Sequence, residues 1–523
     1  MTTEPIAMKT LIALTLILAC LSSTAATLGD VSPSSWPTIN VSAEPGPRRF
    51  VSNHRGLFSG KKVAYQTTVA ETIVKGPDGT PAASMFTFAH VAKAAGSPSS
   101  RPVIFVFNGG PGGASNTLHF GALGPKRMTP FTTAAQSDPK TPLIDNVYSV
   151  LDTADLVFID PADTGYSRML PGAKVDFHSI DGDSYSIAQL MIHWLTVNNR
   201  LDSPKYILGE SYGTLRGVAL ARDLALANPK ILIDGLVMVS QAIRYNGPTS
   251  IARRSSLDIV YAISRLPDAA ALAWYHGKID NKHQTVREAM DQARAFGRTE
   301  YAEALLLGNR LDATGRERIA SRLAALTGIP AAYYLANNLR IGDLRRELLK
   351  DQGRVLLQFD GRETESASAS VPDDQRDWSA LTAGLTANME RYAERDLKVS
   401  GLGTYISVVP DPYRYEDGWS YIKAPAPTLD VVLSEHMRAN TKFRLLVTQG
   451  IFDATSSTGS TESLYAMLDL PGDRTSIAYY PGGHMLYSDE AGLAQFTADV
   501  RAFVTHRPLQ DAIKSVSPAT PSP

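Results

Sequence analysis

Two rhythms divide the chain. Residues 61–69 and 84–91 alternate apolar and polar side chains, as half-buried strands do, and suit an opening antiparallel meander. Short uninterrupted apolar runs follow at 101–107 (RPVIFVF), 156–159, 206–208 and 235–239, the kind a sheet buries on both faces. A helix candidate, 184–199, lies between two of them. Apolar strands separated by helical stretches predict βαβ units and a mainly parallel sheet. From about residue 245 to about 425 the strand rhythm stops; 286–307 and 313–326 are rich in Ala, Arg, Glu and Leu, the strong helix formers. Strand signals resume at 443–448 and 476–480. The expected plan is an α/β core in two parts, 61–244 and 426–508, interrupted by a helical cap insertion at 245–425. The Pro-, Ser- and Gly-rich stretch 27–60 is expected to be a linker wrapping the surface, and 509–523 a disordered tail.

The N-terminus follows another pattern. Lys9 precedes an apolar run from Leu11 to Leu21, and Ser23-Thr24-Ala25-Ala26 offers small residues for cleavage. Residues 1–26 therefore predict an export signal, with Met8 a more natural start than Met1, and a periplasmic or extracellular protein. The run is too short for a comfortable membrane span, and no later stretch approaches 18 uninterrupted apolar residues. Residues 17–20 loosely match a lipoprotein box, with Leu18 a poor fit; a lipid anchor at Cys20 is the alternative. Cys20 is the only cysteine, so a chain without this segment has no disulfide and depends on core burial. At 523 residues with 44% hydrophobic and 20% charged residues, a sizeable globular core is available. A net charge of −1 with no long basic run argues against nucleic acid as a partner.

Three short segments carry the chemistry: Gly209-Glu210-Ser211-Tyr212-Gly213, Gly450-Ile451-Phe452-Asp453 and Gly482-Gly483-His484-Met485. They supply a serine, an acid and a histidine, in the chain order of an α/β-hydrolase triad. Serine is a weak nucleophile that needs a base beside it. Gly209-x-Ser211-x-Gly213 follows an apolar strand and precedes a helix-like run, 214–227, the setting of a nucleophile elbow. His484 is the expected base and Asp453 the residue that orients it. His119 and His193, the main competitors, lie upstream of Ser211, the wrong order for this fold. Asn108-Gly109-Gly110-Pro111-Gly112-Gly113 lacks the spacing of a phosphate loop but suits an oxyanion loop, with the amides of Gly110 and Tyr212 as donors. No step of this chemistry requires a metal or an organic cofactor.

These segments, together with Asp160-Pro161-x-x-Thr164-Gly165-Tyr166-Ser167, resemble the serine carboxypeptidase family over roughly 60–245 and 440–505, in a divergent, bacterial-type form. The resemblance implies an α/β-hydrolase fold and peptide substrates with a free C-terminus. It also implies that Asn108, Gly109 and Glu210 bind the substrate, with the Asn108 and Glu210 side chains holding its terminal carboxylate. A Glu can donate to a carboxylate only when protonated, so activity is expected to favour acid pH. The chain departs from the family where a Glu-Leu-Gly-Pro segment is usual: Ala122-Leu123-Gly124-Pro125 lacks the acid. The residues after the nucleophile also differ, Tyr212-Gly213-Thr214 in place of Tyr-Ala-Gly. Two alternatives stay open: another α/β-hydrolase, either a prolyl-type aminopeptidase or an esterase, and a non-catalytic binding protein on the same fold. Oligomeric state is not encoded in any of these features.

Overall fold

A computed structural model describes residues 31–93, 98–175, 177–243, 259–370, 376–409 and 428–509. The expected export signal, Cys20 and residues 510–523 of the expected tail lie outside them. Ten strands build one sheet. In chain order they are β1 Glu44–Phe58, β2 Lys61–Lys75, β3 Pro81–Ala92, β4 Val103–Phe107 and β5 Asp155–Asp160, then β6 Arg168–Met169, β7 Lys205–Glu210, β8 Gly235–Val239, β9 Arg444–Gly450 and β10 Thr475–Tyr480. In space they run β1-β2-β3-β5-β4-β7-β8-β9-β10, with β6 attached to β3. β1, β2, β3 and β5 pair antiparallel, and every pair from β5 to β10 is parallel. This is the sheet of an α/β-hydrolase.

The pleat sorts the apolar runs onto two faces. Val103, Phe105 and Phe107 of β4 pack with Ile207, Leu236 and Leu445 beneath helices α1 Ile180–Val197, α2 Tyr212–Leu226 and α3 Leu429–Ala439. Ile104 and Val106 face the other way, with Leu208, Val237 and Leu446, against Phe496 and Val500 of the C-terminal helix Glu490–Val504. Burial on both faces explains why these strands read as continuous apolar runs. The strand order reverses at β4: the chain steps to β5 on one side and later to β7 on the other. In open α/β sheets ligands bind beyond the strand ends at such a switch point. The glycine-rich stretch leaves β4 there, and Ser211 leaves β7 beside it.

Two expectations need correction. The span 27–60 is not all linker, because Glu44–Phe58 forms a 15-residue edge strand. Pro45, Pro47 and Gly56 disguise it, and an edge strand with a bulge between Pro45 and Arg49 tolerates them. Helix α1 starts at Ile180 rather than 184, because Ser179 caps it by accepting from the Gly182 amide, and Asp181 and Asp183 favour its first turn.

Between residues 259 and 395 the described chain is mostly helical, with its own core around Leu266, Leu272, Met290, Phe296, Leu323 and Tyr334. It also holds a small hairpin, Arg354–Leu356 with Thr364–Ser366. Its return segment bridges back to the core, Ile406 opposite Gly165 and Val408 opposite Gly113. No helix among the described residues is long and apolar enough to cross a membrane.

Candidate active site

The chain turns at Ser211 with φ 57° and ψ −125°, a left-handed conformation that a side chain adopts only under constraint. The constraint is visible in the neighbours. A Cβ on Gly209 would lie 2.2 Å from the carbonyl oxygen of Gly213, and one on Gly213 would lie 3.0 Å from that of Asn108. Gly209 is the one that leaves no room for a side chain as β7 folds directly into α2, while Gly213 lies tight against the end of β4. The Ser211 amide donates to the Val239 carbonyl of β8 at 2.9 Å, and the side chain is left half-buried. Behind it, buried Arg216 fastens the turn: Nε donates to Asp183 Oδ2 at 2.7 Å and Nη1 to the Asn108 carbonyl at 2.5 Å. Its guanidinium lies over the rings of Phe107 and Tyr212.

Asp453 follows β9 and His484 follows β10, so both arise at the same sheet edge as Ser211. His484 Nδ1 meets Asp453 Oδ2 at 2.8 Å. Asp453 also accepts from the Thr455 amide at 2.7 Å, the Ser456 amide at 3.0 Å, the Ser456 hydroxyl at 2.9 Å and Gln449 Nε2 at 3.0 Å. The His484 carbonyl accepts from Ser240 Oγ at 2.6 Å, and Ser240 is the residue after Val239, which holds Ser211. These bonds tie the histidine loop, through Ser240 at the end of β8, to the strand that holds the Ser211 amide. No Ser211–His484 hydrogen bond is formed among the described residues, and such bonds often tighten only with substrate bound. Burial disfavours the imidazolium, but the charge and hydrogen bond of Asp453, with the charge of Glu210, turn the net shift upward. His119 belongs elsewhere: it meets His90 at 2.9 Å in a buried aromatic cluster that pushes its pKa down to about 3.

The glycine-rich stretch lies against the elbow. A Cβ on Gly109 would sit 2.6 Å from both the Glu210 carbonyl oxygen and the Tyr212 amide nitrogen. Gly110 and Gly112 take φ of 111° and 83°, open to glycine alone at no cost. The loop therefore passes the first amide of α2 at backbone contact. The return segment of the insertion clamps its far side: Ala114 N–H donates to the Ser407 carbonyl at 2.9 Å and Val409 N–H to the Gly112 carbonyl at 2.8 Å.

Asn108 and Glu210 are brought together. Asn108 Nδ2 donates to Glu210 Oε1 at 2.8 Å, while its Oδ1 accepts from the Leu118 amide at 2.9 Å. The Tyr487 hydroxyl donates to Glu210 Oε2. Burial pushes the Glu210 carboxyl up to about 7, against the opposing effects of His484, Tyr487 and Asn108. A protonated acid beside an amide donor is the equipment needed to receive a carboxylate.

Sequence reasoning missed Tyr487, Gln449, Ser456 and Phe359. Phe359, from the insertion, stacks on His484 with centroids 5.5 Å apart, and its carbonyl accepts the His484 amide at 2.5 Å. Tyr487 lies three residues from His484 and Ser456 three from Asp453, so proximity in sequence was the one signal available; Phe359 had none.

Residues 79–326 match the family model described as serine carboxypeptidase, a family of peptidases. The match includes the loop after β4 and the Ser211 elbow, and ends before Asp453 and His484. Among solved structures, the chain resembles a prohormone-processing carboxypeptidase from Saccharomyces cerevisiae at 13% identity, over 84% of this chain and 91% of that one, with a TM-score of 0.51. A proline iminopeptidase from Mycobacterium smegmatis matches at 15% identity over 83% and 98% of the two chains, with a TM-score of 0.34.

Proposed function

We propose that this relative of the serine carboxypeptidases, matched to that family over residues 79–326, hydrolyses C-terminal residues from peptides through a serine ester. The observation that carries the reading is the buried Asn108–Glu210 pair beside Ser211. A prolyl-type aminopeptidase or an esterase has no need of a carboxylate receptor one residue before its nucleophile.

In this reading Ser211 Oγ attacks the scissile carbonyl and gives its proton to His484. With Nδ1 committed to Asp453, Nε2 is the nitrogen left to receive it. The amides of Gly110 and Tyr212 hold the oxyanion. His484 returns the proton to the leaving amine as the C–N bond breaks. Water, activated by the same imidazole, then releases the acyl group. Asn108 and protonated Glu210 hold the terminal carboxylate, with Gly109 giving backbone close to it.

Glu210 and His484 feel each other's charge, so they titrate as a pair. With one proton between them, two arrangements compete. A proton on Glu210 leaves His484 as a base and lets Glu210 donate to the substrate; a proton on His484 disables both. A bound carboxylate repels ionised Glu210 and so favours the working arrangement. Full protonation removes the base and full deprotonation removes the carboxylate receptor. A bell-shaped profile follows, with its alkaline limb set by Glu210.

The test compares an N-blocked dipeptide bearing a free C-terminus with its C-amide, from about pH 4 to about pH 8. Cleavage of the free acid alone, falling on the alkaline side as Glu210 ionises and on the acid side as His484 gains its proton, is the expected result. Ser211→Ala should lower turnover about 10⁶-fold. Equal cleavage of acid and amide, or turnover of esters only, would assign the site to another hydrolase class.

A further inference from the structure

Glu210 has a partner that the family resemblance does not supply. The acid usual in the Glu-Leu-Gly-Pro segment is Ala122 here, fully buried and without a polar side chain. The residue beside it, Gly121, makes room for a ring: a Cβ there would lie 2.5 Å from Cε2 of Tyr487. That ring is wedged against Phe131 and Phe496, with centroids 5.9 and 6.0 Å away, and its hydroxyl donates to Glu210 Oε2. Tyr487 lies on the same turn as His484, so one loop serves both the base and the carboxylate receptor.

We infer that Tyr487 is the positioning residue for Glu210, standing in for the missing acid and determining how far up the pH scale the protein accepts a free C-terminus. This rests on the carboxypeptidase reading above. The geometry leaves each Glu210 oxygen one committed acceptor bond, Oε1 from Asn108 and Oε2 from Tyr487, and so fixes the plane of the carboxyl. A carboxyl has lone pairs to spare, so the proton it passes toward a substrate does not disturb either bond.

A phenol differs from an acid in one consequential way. A neighbouring carboxyl shares a proton and resists a second charge, which keeps Glu210 protonated. A neutral phenol brings no second charge, and the bond it donates to Glu210 Oε2 stabilises the ionised carboxylate. Burial holds the Tyr487 hydroxyl far above its ordinary range, so it remains a donor throughout. The other groups facing Glu210 are Asn108 from the loop after β4, His484 from the loop after β10 and Asp453 from the loop after β9. Asn108 and cationic His484 also favour the carboxylate, while Asp453 opposes it. Tyr487 is the member whose hydroxyl can be removed without touching the triad.

The test is the pH profile of kcat/KM for the free-acid dipeptide and for an N-blocked ester without a carboxylate. Tyr487→Phe should raise the alkaline limb of the acid's profile by roughly one to two pH units and leave the ester's limb in place. Site-specific 3-fluorotyrosine at 487, the same shape with a stronger donor, should lower that limb, which covers the case of a phenylalanine variant that does not fold. In a Glu210→Gln background the Tyr487 exchange should no longer move the profile. An unmoved limb with wild-type preference for the free acid overturns this inference alone. A limb that moves equally for the ester, or in the Glu210→Gln background, overturns it too. A wild type that cleaves acid and amide alike overturns the carboxypeptidase reading with it.

Discussion

A single methyl group is enough to test the oxyanion assignment. At Gly109 an added Cβ would lie 2.6 Å from two backbone atoms of the elbow, neither of which can yield without moving β7 or α2. Gly109→Ala should therefore displace the loop rather than the elbow and lower kcat by about 10² to 10³, the usual cost of one lost donor. Steady-state kinetics beside a thermal melt checks this; an unchanged kcat in a folded variant would remove Gly110 from the mechanism. At this scale the sequence was legible where chemistry is written as residue type at short spacing, as in Ser211 between two glycines. Arg216, Asp183 and Tyr487 were not legible. Their roles come from hydrogen bonds between segments far apart in the chain, and nothing local distinguishes a buried arginine on α2 from an exposed one.

At the scale of elements, the insertion touches the candidate site directly. The turn between its two short strands runs against the histidine loop. A Cβ on Gly483 would lie 2.3 Å from the Phe359 carbonyl oxygen, and Arg362 Nη1 donates to the Pro481 carbonyl at 2.8 Å. Phe359→Ala removes the ring stacked on His484 but keeps the backbone bond. The imidazole then loses one wall, and kcat should fall by about tenfold to a hundredfold, with little change in KM. A KM effect without loss of kcat would mean that Phe359 shapes the substrate pocket instead of the base. The strands of the parallel sheet were legible from their apolar runs, and the helices at Val286–Phe296 and Ala313–Thr327 from composition. The hairpin at 354–366 was hidden inside a helix-rich stretch, because strands of three residues carry too little pattern to register. Edge strand β1 was hidden by its prolines and glycines.

Across the whole molecule, the insertion and the core are also joined by a buried carboxyl. Asp268, in the first turn of helix Leu266–Tyr275, accepts the Thr458 amide at 2.9 Å through Oδ1, and its buried Oδ2 has no hydrogen-bond partner among the described residues. Burial pushes its pKa up to about 7. The unfolded chain releases this proton near pH 4, whereas the folded protein keeps it to about pH 7. Between those values the unfolded state binds fewer protons, so this group's contribution to stability is lost as pH rises. Asp268→Asn keeps the acceptor for Thr458 and removes the titration. The variant's Tm should gain on the wild type steadily from about pH 4 to about pH 7 and hold its lead above, as its relative stability grows by on the order of a few kcal/mol. Parallel Tm curves across that window would show that Asp268 ionises freely. Buried His119 and His436, both held well below their ordinary range, act in the opposite sense as pH rises, so the difference between the two proteins is the informative quantity.

The pairing of β8 with β9 has a consequence for biosynthesis. It joins residues 235–239 to 444–448, across the whole insertion. A ribosome delivers the chain from its N-terminus, so Ser211 and its elbow exist while Asp453 and His484 have yet to be made. Pairing across so long a separation is slow, because the entropy of loop closure comes before the contacts that reward it. Throughout that interval the serine is an ordinary alcohol with no base in reach. Chain order thus makes the meeting of Ser211 with Asp453 and His484 one of the last events of the protein's synthesis.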